Sequence, residues 1–196
     1  MAYRNSMTFQ INVSDPLDGR SALTRRAWVS LAAGAIAISI NTALLAGADH
    51  IPLVTARGGL LKLLNIWVGR DLARLGIGTF WARLGLPMPG GTAFQLGFHV
   101  VVGVMMALLY GLALEPMLRG TAWAKGLAYA VLVWLANSVV ILPLLGEGFA
   151  GSRDLGLPGI VYFAVAHTIF FVLTAVLFAR FLPVPTRRIR SRSRLG

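Results

Sequence analysis

The sequence predicts an all-α integral membrane protein: a four-helix bundle with an amphipathic interfacial segment between helices 1 and 2. Three observations carry this. Apolar residues make up 57% of the 196-residue chain, charged residues only 13%, and mean hydropathy is +0.73, whereas a soluble domain needs about a quarter of its residues charged. Four apolar runs reach the roughly 20 residues that cross the hydrocarbon layer. Lys and Arg are divided unequally between the loops that these runs define.

The first residues, 1–26, are polar and lack the apolar core of a signal peptide. Arg25-Arg26 resembles a twin-arginine signal, but the run behind it is long enough to span and shows no small-residue cleavage pattern. It reads as an uncleaved first helix, 27–47. The second span is predicted over 93–114, the third over 122–144 and the fourth over 158–181. Trp28, Trp123, Tyr162 and Phe181 fall near the span ends, as an aromatic belt does.

Orientation follows from the basic residues. Arg4, Arg20, Arg25, Arg26, Arg119, Lys125, Arg180 and the tail arginines collect on one side, twelve in all; Arg57, Lys62, Arg70, Arg74, Arg83 and Arg153 make six on the other. Positive charge stays inside, so both termini are expected in the cytoplasm and the membrane is expected to be a bacterial inner membrane.

The connection over 52–90 holds five of those outer charges. Leu60, Leu61, Leu63, Leu64, Trp67 and Val68 form one face, Lys and Arg interrupt on another, and Gly76 and Gly78 mark a break. This predicts one or two helices lying at the interface. A fifth crossing would have to bury Lys62, Arg70, Asp71 and Arg74, at high cost. A third reading has the segment pack over the bundle as a lid or dock a partner. The basic tail, 182–196, is read as a topology anchor on anionic lipid. No nucleic-acid partner is expected, because no aromatic or folded reader accompanies those charges.

Chemistry is sparsely provided. There is no cysteine, which excludes disulfides, thiolate-bound zinc, iron–sulfur clusters and cysteine nucleophiles, and leaves three histidines with seven carboxylates. No catalytic apparatus is evident, so no enzyme is expected. His50, in Asp49-His50-Ile51-Pro52, reads as an interfacial cap of helix 1. Glu115-Pro116 and Gly146-Glu147-Gly148 read as helix ends.

One pattern stands apart. Counting 1.5 Å per residue, Asn41, His99, Asn137 and His167 all fall roughly 9–14 Å beneath the outer boundary. Asn41-Thr42 matches Asn137-Ser138, and His99 precedes Tyr110 by the same eleven positions that separate His167 from Phe178. Helices 1–2 therefore resemble helices 3–4 as a weak internal repeat. His99, Gly103, Ala107 and Tyr110 share one face of helix 2, which adds Tyr110 to the candidate layer. In an up-down bundle the two histidines would face each other with the asparagines beside them.

Three chemistries suit such a layer. It can be an interhelical hydrogen-bond network that fixes packing. It can hold a b-type haem between His99 and His167, if Phe98, Phe163, Phe170 and Phe171 leave room. It can be a path for a small solute or a proton, with imidazole as relay. The first makes the protein a structural or accessory subunit, with a larger membrane complex or a homo-oligomer as its expected setting and with no cofactor and no metal.

Gly97-Phe98-His99, Gly103 and Tyr110, Gly126 through Pro143-Leu144 with Gly146 and Gly148-Phe149, and Ala166-His167 resemble a group of small, uncharacterised four-helix bacterial inner-membrane proteins. The resemblance covers under half the chain. It implies the topology and the paired histidines, and no activity. The segment Asp49–Gly91 departs from the short connecting loop of that group.

Overall fold

Helical periodicity and chain-breaking residues together set six helices in the computed structural model, which describes residues 16–182 apart from 52, 55–58 and 86–90. Helix α1 covers Pro16–Gly47, α2 Gly59–Arg74 and α3 Ile77–Arg83. Helices α4 (Thr92–Met117), α5 (Ala122–Leu144) and α6 (Leu157–Phe181) complete the chain. No strand occurs among the described residues. Helices α1, α4, α5 and α6 are each long and apolar enough to cross a membrane. The protein is a four-helix, multi-pass membrane bundle.

Three boundaries differ by one to three residues from those predicted, and one differs by more. Helix α1 begins at Pro16, because proline is at home in a first helical turn and Asp18 through Arg26 are compatible with a helix that continues out of the apolar run. The expectation for the basic tail falls on 183–196, outside the described residues.

Packing follows small residues. Ser30, Ala33, Ala37 and Asn41 form the buried stripe of α1, at helical spacing. A Cβ placed on Gly34 would come within 2.5 Å of the Ala107 methyl, and one on Gly103 would collide with Ile38; glycine at these two places lets α1 and α4 approach. Helix α5 meets α6 the same way at Gly126, whose added Cβ would lie 2.7 Å from Val172 Cα and 2.9 Å from the Phe171 carbonyl oxygen. Close approach of this kind provides dispersion contact where lipid leaves no hydrophobic drive between helices.

The order around the bundle is α4–α1–α6–α5, with α1 and α6 as the inner pair. Helices α4 and α5 close the ring mainly through side chains. Tyr110 stacks on Tyr129 with centroids 5.9 Å apart, and the Tyr129 hydroxyl donates to the Met106 carbonyl oxygen at 3.2 Å. Phe178 meets Tyr110 edge-on, and Phe171 tilts against Tyr129. These rings fill the half of the bundle nearer Arg26.

Helices α4 and α5 each contain a π-helical turn, over Tyr110–Leu114 and Asn137–Ile141. In each the wider register ends at a proline, Pro116 or Pro143, which supplies no N–H. This shared device pairs α4 with α5, whereas the repeat read from the sequence pairs α1 with α5 and α4 with α6.

The interfacial segment breaks where predicted, at Gly76, whose φ of 68° is left-handed. Helix α2 is pinned by the buried Leu63 and by Lys62, whose Nζ lies 2.7 Å from Glu147 Oε1. Helix α3 touches the start of α4 through Trp81, edge-on to Phe94 at 5.8 Å. Ile66, Trp67, Leu75 and Phe80, in and between these two helices, are exposed.

Candidate functional site

Asn41 sits on the α1 face that meets both α4 and α6, and it is 1% exposed. Its Nδ2 donates to the carbonyl oxygen of Ala166 at 2.9 Å. Its Oδ1 lies 3.1 Å from His99 Nε2. One side chain thus ties three helices. Because Nδ2 is spent on a carbonyl, Oδ1 is the acceptor, and the neutral His99 ring must carry its proton on Nε2.

His167 stands one residue beyond Ala166, at the same depth. Its Nδ1 faces the Phe163 carbonyl oxygen at 2.9 Å, and the Phe163 ring lies 3.9 Å from the imidazole, centroid to centroid. A carbonyl can only accept, so the neutral His167 ring keeps its proton on Nδ1 and leaves a lone pair on Nε2. The two histidines therefore end in opposite states, one donating from Nε2 and one able to accept there.

The layer read from the sequence is assembled in part. Asn41, His99 and the His167 turn come together. Asn137 does not join them: it opens the π-turn of α5, and among the described residues no hydrogen bond links it to the other three. Tyr110 is a correction. It shares a helix face with His99 but lies eleven residues further on, about 16 Å along the axis, where it is buried among Tyr129 and Phe178. Thr42, next to Asn41, has a buried hydroxyl with no partner among the described residues.

No group of three or more His, Asp or Glu that could hold a metal ion occurs among the described residues. A bis-histidine haem needs an Nε2 lone pair from each imidazole, with Nδ1–H held by a second partner. His167 meets that requirement. His99 does not, since its Nε2 proton is directed at Asn41. Phe170 and Phe171, both 3% exposed, occupy the bundle interior on the same helix. As the side chains stand, the residues do not fit a haem.

A second polar cluster was missed by sequence reasoning. At the opposite end of the bundle, Glu115 Oε2 lies 2.6 Å from Arg26 Nη2, and Glu115 Oε1 lies 2.8 Å from Lys125 Nζ. Lys125 also donates to the Glu115 carbonyl oxygen at 3.0 Å, and the Arg26 guanidinium stands 5.3 Å from the Phe178 ring. A signal was present: Glu115 is the single carboxylate between Asp71 and Glu147, on the side where basic residues gather. Glu147 was likewise read only as a helix end. It is 8% exposed and anchors α2 through Lys62.

Comparison with family models, with curated proteins and with solved structures finds no match for this chain. Function therefore rests on the geometry of this layer and its surroundings.

Proposed function

We propose that the protein is a structural or accessory subunit of a bacterial cytoplasmic membrane, with no enzymatic activity of its own and with both termini on the cytoplasmic side. The observation that carries this reading is Asn41: buried in the bundle, it has its donor and its acceptor engaged by two other helices. Side chains bonded to neighbouring helices hold a bundle together. Orientation rests on the excess of Arg and Lys at the Arg26 end. The exposed apolar side of α2 and α3 is the surface that such a subunit would offer to its complex.

Two measurements on protein extracted in mild detergent test this reading. The absorption spectrum is expected to lack a Soret band, and His99→Ala and His167→Ala are expected to change stability and not the spectrum. A Soret band that both variants lose would overturn the structural role. On native gels of membrane extracts, the chain is expected to migrate in an assembly well above its 21.0 kDa; migration as a lone monomer would overturn the accessory role.

A further inference from the structure

Along the outer side of α1, Ser21, Arg25, Trp28 and Ala32 repeat at 4-3-4 spacing and so lie on one face. With Thr24, Val29 and Phe181 of α6 they line an open groove of about 630 Å³. Trp28 and Phe181 are 68% and 40% exposed, with the half-buried Val29 and the small Ala32 between them in the lining. Arg25 stands at the upper end, two residues before the apolar run, at headgroup height.

The two neighbouring arginines are treated differently by the fold. Arg26 turns inward and is neutralised by Glu115. Arg25 is exposed and has no ion pair or hydrogen bond among the described residues. An unpaired guanidinium above an apolar trough between two aromatic rings is complementary to one kind of molecule, a phosphate ester carrying an acyl chain. We propose that this groove binds a phospholipid with an anionic headgroup. The guanidinium forks onto the phosphate, Trp28 lies at the glycerol level, and one acyl chain runs over Val29 and Ala32. The lining residues include none of the polar layer.

Native mass spectrometry of the full chain, with palmitoyl-oleoyl phosphatidylglycerol or phosphatidylcholine added, tests the assignment. The wild type is expected to retain one phosphatidylglycerol in preference to phosphatidylcholine. Arg25→Gln is expected to lower phosphatidylglycerol occupancy about five- to tenfold, to the phosphatidylcholine level. Ala32→Trp, which fills the groove, is expected to lower both. Arg83→Gln, a charge loss at the other end of the bundle, is expected to change neither. Equal retention of the two lipids, no effect of Arg25→Gln or of Ala32→Trp, or an equal effect of Arg83→Gln would overturn the proposal. So would displacement of the lipid by excess inorganic phosphate, which would make this a site for free anions. A dimer peak that Ala32→Trp abolishes would instead assign the groove to a second copy of the chain.

Discussion

Arg26 reaches from α1 to the carbonyl oxygen of Gly111 in α4, with Nε at 3.0 Å and Nη2 at 2.6 Å. That oxygen is available for a definite reason. In the π-turn the Glu115 N–H goes to Tyr110, and the next donor in register would be residue 116, which is a proline. The orphaned carbonyl and the Glu115 carboxylate together fix the guanidinium where three helices meet.

Glu115 accordingly serves two cations at once. Glu115→Ala leaves Arg26 and Lys125, with side chains 21% and 15% exposed, facing each other without a counter-ion. A full buried pair costs about 3–5 kcal/mol when broken. Partial exposure reduces this, so a loss of about 1–3 kcal/mol is expected in reversible unfolding in mixed micelles. Replacing all three charges by apolar residues of similar volume is expected to recover most of it.

Two helical glycines differ in what surrounds them. Gly126→Ala drives a methyl into the α6 backbone at Val172 and is expected to cost about 1–3 kcal/mol, since overpacking against backbone relaxes poorly. Gly97→Ala meets nothing within 4 Å and is expected to be neutral or to stabilise by up to about 1 kcal/mol, as alanine does in a helix. Thermal denaturation of the two variants side by side separates these outcomes.

The docking of α2 is readable by chemical labelling, because the chain has no native cysteine. Leu63 is 5% exposed and Leu64 39%. A Leu63→Cys variant is expected to react with a water-soluble maleimide much more slowly than Leu64→Cys. Adding Glu147→Gln is expected to narrow the gap between the two rates. The Lys62–Glu147 pair is weak in itself, with Lys62 57% exposed, and its effect is to bias where α2 rests.

The four spans were legible in the sequence because length and hydropathy are local properties. The break at Gly76 was legible because glycine punctuates an amphipathic run. Depth counting brought Asn41 and His99 to one level, since rise per residue is nearly constant. It could not decide whether side chains at that level meet. Asn137 opens a π-turn, which needs the register of a whole helix to anticipate. Tyr110 failed because a shared face is not a shared depth. Arg26, Glu115 and Lys125 are distant in sequence, and only helix order brings them together.

Asn41 ties α1 to α4 and α6. A double-mutant cycle with Asn41→Leu and His99→Leu, measured by unfolding in bilayer-like micelles, tests it most directly. The predicted coupling is about 0.6–1.7 kcal/mol, the range of interhelical hydrogen bonds in membranes, with Asn41→Leu the costlier single change because it also abandons the Ala166 carbonyl. Additive effects of the two substitutions, or two variants as stable as the parent, would contradict it.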